Sequence, residues 1–174
     1  MLTAVAQTLA EILVGGSSLS GTEQIDFNHP CRLQPKSSTL NLYCYDIREN
    51  QQMSPLKQSN QGLDNAQEPC TWFDISFLLT AWDSTALGEQ HLLSEALTLL
   101  LDHRFLPEAQ LAPALRGLGT LPLKVSAIDR FEAAAFWTAL GIPLRPALSV
   151  TVTVPFYRLQ ASHASQRTFY KPSN

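Results

Sequence analysis

Charge is what this 174-residue sequence has least of: 16% of its residues are Asp, Glu, Lys or Arg, against about 25% in an ordinary soluble domain. Charged surface keeps a monomer dispersed, so the shortage points to a subunit that buries part of its exterior against other chains. Cysteine is scarce too. Cys31, Cys44 and Cys70 are widely and irregularly spaced with no CxxC, which excludes a zinc ribbon or thioredoxin-like site and fits reduced thiols. Long apolar runs are missing: the longest, Phe73 to Trp82, contains Asp74 and falls far short of the ~20 residues a membrane helix needs. No basic stretch leads into an apolar core at the N-terminus, so no signal peptide is expected. Basic excess is also absent. The net charge of -3 argues against a nucleic-acid binder.

Motifs for chemistry are lacking in the same way. Gly15-Gly16-Ser17-Ser18 is not followed by the Gly-Lys-Ser/Thr of a phosphate loop, and it closes a helix instead of opening one. His29, His91, His103 and His163 form no HExxH and no i, i+4 pair. No serine lies in GxSxG, and Cys70 has no protease signature around it. Neither a catalytic residue, a cofactor nor a metal is therefore expected. Two constellations remain. Asp46, Arg48 and Glu49 cluster at a strand end with Asp74 on the next strand; this reads as an ion-pair network flanking a subunit contact, with a working carboxylate pair as the alternative. Tyr43, Tyr45, Trp72 and Trp82 read as core or interface anchors, the alternative being a stacking platform for a ligand. His91, beside Glu89 and Glu95, reads as a solvated or interface histidine.

What is present is a set of periodic segments. Leu2, Val5, Ala6, Leu9, Ile12 and Leu13 predict an amphipathic helix ended by Gly15-Gly16. Gln24 to Phe27 predicts a short strand. Leu40 to Ile47 predicts a strand apolar on both faces, with Leu40, Leu42 and Cys44 on one and Tyr43, Tyr45 and Ile47 on the other; a neighbouring subunit is a candidate cover for one of them. Residues 49–69 are a polar excursion, expected to be the tip of a hairpin whose second strand is Thr71 to Trp82. Glu89 to Leu101 predicts a helix, Pro107 to Leu115 a short helical stretch, Pro122 to Ile128 a strand, and Arg130 to Leu140 a helix stopped by Gly141. Leu148 to Phe156 alternates as a half-buried strand, Pro155 marking an edge position. The expectation is one α+β domain over residues 1–158, a mixed, mostly antiparallel sheet flanked by helices, followed by a polar tail over 159–174. Charge is also segregated: residues 71–110 hold six acids and one base, residues 111–174 seven bases and two acids. Opposed segments of this kind can attract each other between copies.

Four blocks carry a family resemblance: Leu40 to Asn50 (LNLYCYDIREN), Trp72 to Trp82 (WFDISFLLTAW), Glu89 to Leu93 (EQHLL) and Phe136 to Pro155 (FWTALGIPLRPALSVTVTVP). In order and spacing they resemble the tail-terminator, or cap, proteins of phage-tail-like contractile injection systems of the antifeeding-prophage and virulence-cassette type. The resemblance runs from the first helix to about Pro155. It implies a structural protein, not an enzyme: a ring, commonly of six copies, on the distal end of the inner tube and sheath, which stops tube polymerisation and ties tube to sheath. Its partners would be copies of itself, the inner tube protein and the sheath protein. It would assemble in the cytoplasm, insert in no membrane and end as part of the particle. By charge and position, Asp46, Arg48 and Glu49 are expected to make inter-subunit or hairpin-anchoring contacts. Trp72 and Trp82 are expected to be buried anchors, and Arg158, Arg167 and Lys171 to meet an acidic neighbour. The alternatives are a baseplate, tube or sheath adaptor of a phage-like tail, or a small enzymatic or ligand-binding domain using Asp46, Asp74 and His91.

Overall fold

The computed structural model describes residues 1–32, 37–53, 70–128 and 133–157. Helix α1 (Leu2–Gly16) buries Val5, Leu9, Ile12 and Leu13 along one stripe, as the periodicity predicts. The helix ends at the two glycines, as expected. They form its last residues, and a Cβ on Gly16 would run into the Leu99 side chain, so the missing side chain lets α1 approach the second helix closely. Strand β1 (Ile25–Asp26) is shorter than expected and pairs in parallel with β2 (Thr39–Glu49), Ile25 opposite Leu40. The buried Asn41 amide ties it there, donating to the Asp26 carbonyl at 3.1 Å and the Asn28 carbonyl at 2.9 Å.

Strand β3 (Cys70–Trp82) returns antiparallel to β2, from Glu49 opposite Phe73 to Thr39 opposite Trp82. The expected hairpin is therefore formed; most of its polar excursion, residues 54–69, lies outside the described residues. Helix α2 (Ala86–Leu101) starts at Thr85, whose hydroxyl accepts the Gly88 N–H at 3.0 Å. The stretch after Pro107 is two 3-10 turns, Glu108–Gln110 and Pro113–Leu115; Pro113 supplies no N–H to carry one helix across both. Strand β4 (Leu123–Ala127), helix α3 (Ala133–Leu140) and strand β5 (Ala147–Tyr157) complete the fold. Gly141, at φ 68°, ends α3 as predicted, and residues 129–132 ahead of α3 are outside the described residues.

The sheet order is β1-β2-β3-β5-β4, with every pair antiparallel except β1–β2. This is the expected mixed, mostly antiparallel α+β sheet. Helices α1 and α2 cover one face, where Leu9, Leu13, Leu92 and Leu100 pack on Leu42, Ile75, Phe77, Leu79 and Val152. Each such buried leucine contributes roughly 1.5–3 kcal/mol of transfer free energy. Helix α3 covers part of the other face, with Trp137 and Leu140 on Leu78 and with Tyr43, Tyr45 and Ala147 around them. Part of the second apolar face of β2, around Tyr43 and Tyr45, thus has its cover within the chain. Pro155 sits where β5 has outrun β4, whose last partner is Val152. One further bond, from the Thr153 N–H to the Pro122 carbonyl at 3.0 Å, closes that side; beyond it β5 is an edge, and a residue without an N–H costs no ladder bond.

Candidate functional site

One irregularity in β2 shapes the site. Cys44 pairs with Phe77 and Asp46 with Ser76, so Tyr45 is an extra residue without a partner, a β-bulge. The bulge resets the alternation. Asp46 and Arg48 fall on the α3 face, opposite Ser76 and Asp74, while Ile47 and Glu49 fall on the α1/α2 face, opposite Ile75 and Phe73. Strict alternation would put Ile47 with Tyr43 and Tyr45, and the bulge overturns that placement. Regular alternation after the bulge keeps Glu49 on the face away from Asp46 and Arg48.

Helix α3 stops short of the far half of its face. The uncovered half is a polar groove of about 410 Å³, walled by Asp46 and Arg48 on β2 and by Lys124 and Ser126 on β4, with Phe136 and Ile128 at its end. Hydroxyls form the floor: Ser76 pairs with Thr151 at 3.0 Å, and the Tyr45 hydroxyl with Ser149 at 2.8 Å. The Tyr45 ring stands edge-on to Phe136, centroids 5.3 Å apart. Asp74 accepts from Thr153 Oγ1 at 2.6 Å and from Asn50 Nδ2 at 3.0 Å. Arg48 Nε meets Asp46 Oδ2 at 2.6 Å, with the Arg48 side chain 79% exposed; an ion pair so open to water contributes at most about 1 kcal/mol. Both carboxylates are thus spent on bonds inside the fold. His91 is on α2, on the other side of the sheet, its Nε2 3.3 Å from Glu95 Oε1. Asp46, Asp74 and His91 are not brought together, so the proton-transfer geometry of the enzymatic alternative is not assembled.

The other expected site residues are scattered. Tyr43 lies under α3, edge-on to the His29 ring at 4.9 Å. Trp72 is half-buried against the larger core cluster. Trp82 is half-buried at the opposite end of β3, where it carries the Arg145 guanidinium 3.5 Å above its ring. Arg158, Arg167 and Lys171 lie outside the described residues. Sequence reasoning missed Lys124, Ser126, Ser149 and Thr151 as groove residues. The alternating Ser149, Thr151 and Thr153 of β5 were the available signal, since a polar face on a strand marks what the core leaves open. Arg145 and its 2.9 Å pair with Glu89 had no signal, because the two lie in separate segments.

A second depression, apolar and of about 460 Å³, lies on the α1 side between Leu2, Phe27, Leu42, Cys44 and Phe77. Burial there pushes the Cys44 thiol pKa up, and the nearby Asp46 carboxylate adds to the shift. Among the described residues no group of three His, Cys, Asp or Glu side chains is placed to hold a metal, and no helix is long and apolar enough to cross a membrane.

Two solved structures share this fold. The sheath/tube terminator of PVC, an extracellular contractile injection system, in its extended state superposes with a TM-score of 0.70 at 18% identity, over 100% of this chain and 62% of that one. The anti-feeding prophage cap, a tube terminating cap, superposes with a TM-score of 0.61 at 18% identity, over 99% of this chain and 59% of that one. The chain therefore spans less than two thirds of the length of either structure. No curated protein matches it. The Pvc16 N-terminal domain family matches residues 3–168, nearly the whole sequence and every element of the fold, and the chain belongs to that family.

Proposed function

We propose that this protein is a structural cap of a contractile injection system: a ring, of six copies, that binds the distal end of the inner tube and the sheath and halts tube growth. The observation that carries the reading is the family match over residues 3–168, joined by whole-chain likeness to a sheath/tube terminator. A growing tube ends in an open surface that accepts the next ring, and growth stops when a different ring binds it without offering that surface again. Such a role needs lateral contacts, one face fitted to tube or sheath, and no turnover chemistry. The groove residues Tyr45, Asp46, Arg48 and Asp74 serve as polar contacts to a neighbouring chain, and Arg158, Arg167 and Lys171 meet an acidic partner surface. The ring assembles in the cytoplasm and becomes part of the particle.

Deletion of the gene followed by electron microscopy of the particles tests the reading. Tubes of uncontrolled length, or sheaths without end caps, are the expected result. Particles of normal length with normal caps would sink it. A protein found at the baseplate end, or along the shaft, would instead be an adaptor. For the basic tail, reversing the charges of Arg158 and Arg167 should weaken capping at low salt; caps formed equally well at low and high salt would remove those residues from the contact.

A further inference from the structure

Strand β2 has an open edge. Strand β1 pairs with it only at Leu40 and Asn41, and beyond Asn41 no strand lies on that side among the described residues. The Asn50 N–H donates to the Trp72 carbonyl at 2.8 Å. In an antiparallel ladder this sets Arg48 bonding to Asp74 and turns the main-chain N–H and C=O of Ile47 and Glu49 outward. The apolar depression lies beside the same edge, with Leu42, Cys44 and Phe77 as its floor and Leu2 and Phe27, 39% and 45% exposed, at its rim. The next residue of β2 on that face is Ile47, 47% exposed. Open main-chain groups supply affinity for an added strand, and a pocket for an alternate side chain supplies selectivity.

Charge narrows which strand fits. Glu49 is exposed at the end of this edge and has no ion-pair partner among the described residues. The bulge and the Asp46–Arg48 pair break the flat edge that an unmatched strand would need. Residues 158–174 hold Arg158, Arg167 and Lys171 and no acid. Their Phe and Tyr residues are Phe169 and Tyr170, in the run Arg-Thr-Phe-Tyr-Lys at 167–171. An extended strand puts Arg167, Phe169 and Lys171 on one face, successive members about 7 Å apart. Ile47 and Glu49 have the same two-residue spacing on β2. With Phe169 beside Ile47 and over the depression, a base stands beside Glu49 whether the added strand runs parallel or antiparallel.

We infer that the open edge of β2 receives residues 167–171 of a second copy as an added strand, with Phe169 in the apolar depression and Arg167 or Lys171 against Glu49. The inference rests on the ring reading above and names the surface that its basic segment meets. A second copy as donor buries the patch and joins two subunits in one contact, in keeping with the shortage of charge. Donor and acceptor are different surfaces, the heterologous kind of contact that closes rings. Sedimentation of the full chain over a concentration series tests it. Phe169→Asp, which spoils the donor, and Ile47→Asp, which spoils the acceptor, should each weaken self-association about tenfold or more. Mixed together, the two variants should pair and stop at a dimer, because one keeps an intact edge and the other an intact donor. Glu49→Lys should also weaken association, and adding Arg167→Glu and Lys171→Glu to the same chain should restore it to within about threefold of wild type. Ile47 and Glu49 are exposed, and thermal melts check folding; Glu49→Lys serves as the acceptor variant if Ile47→Asp melts early. A wild-type chain that stays monomeric, single variants that associate like wild type, or a mixture that does not pair would overturn the contact. The last is the result expected if each chain's own segment fills its edge. Capping is judged separately, by the particle lengths of the deletion strain.

Discussion

Asp83 and Glu95 are the side chains whose protonation the fold controls most visibly. The Ser38 hydroxyl, the Thr85 amide and the Ser84 and Thr85 hydroxyls donate to Asp83 and hold its carboxyl below the usual range. The Ser18 hydroxyl, at 2.7 Å, and the Ser18 amide, at 3.1 Å, do the same for Glu95, aided by His91. Each donor favours the ionised form, and the unfolded chain lacks them. Both folded-state values lie below the ordinary carboxylate values of about 4, so this stabilisation is complete above about pH 5 and disappears as pH falls through the lowered values. The melting temperature should accordingly hold steady from pH 7 to about 5 and drop below about 4. A double Asp83→Asn, Glu95→Gln variant should show a shallower acid limb in the same melts. Thiols give a second residue-level outcome. Cys31 is exposed, with His29 Nδ1 3.0 Å from its sulfur, whereas burial keeps the Cys44 thiol protonated. A thiolate-selective reagent at pH 7.5 should label Cys31 before Cys44, as peptide mass mapping over time would record.

At the scale of elements, the bulge in β2 and the short helix α3 divide the second sheet face between core and groove. Without the bulge, Asp46 would turn toward the α1/α2 core and Ile47 toward the groove, because one residue of register exchanges the two faces. Helix α3 has eight residues and is fastened mainly by Trp137 and Leu140 on Leu78. Truncating Trp137 to Ala should cost about 3–5 kcal/mol, read from the midpoint of a denaturant titration. Hydrogen exchange in α3 should rise by more than in α1, since α1 lies in the other core cluster. Gly141, at φ 68°, makes the turn after α3; Gly141→Ala should cost about 1 kcal/mol through backbone strain alone, there being nothing within 4 Å for a Cβ to strike. A loss of several kcal/mol in that variant would point to packing instead.

For the whole molecule, the shortage of charge goes together with bare apolar side chains on the surface. Surface that stays dry in an assembly needs little charge, and Leu87, Leu144 and Ile47 are where bare apolar groups stand. Association of copies in the proposed ring, if it buries this apolar surface, should lose only part of its strength between about 50 and 500 mM salt, because screening reaches exposed charges and not apolar area. Sedimentation at the two salt concentrations measures this. Complete dissociation at high salt would mean that charge alone holds the copies together.

The outline of this fold was legible in the amino-acid sequence because it rests on local periodicity. The α1 stripe, the long β2–β3 hairpin, the stop at Gly141 and the alternating β5 each follow from side chains that must turn one face from water, and four sequence blocks sufficed to suggest the family. Three things were not legible. The bulge depends on how β2 aligns with β3, the cover over Tyr43 and Leu78 depends on a helix far along the chain from both, and the Arg145–Glu89–Trp82 cluster joins segments with no shared pattern. The expected cluster of Asp46, Arg48 and Glu49 shows the division in miniature. Strand alternation by itself sets Glu49 on the face opposite Asp46 and Arg48, but only the tertiary register decided which face each takes, the groove for Asp46 and Arg48 and the α1/α2 side for Glu49.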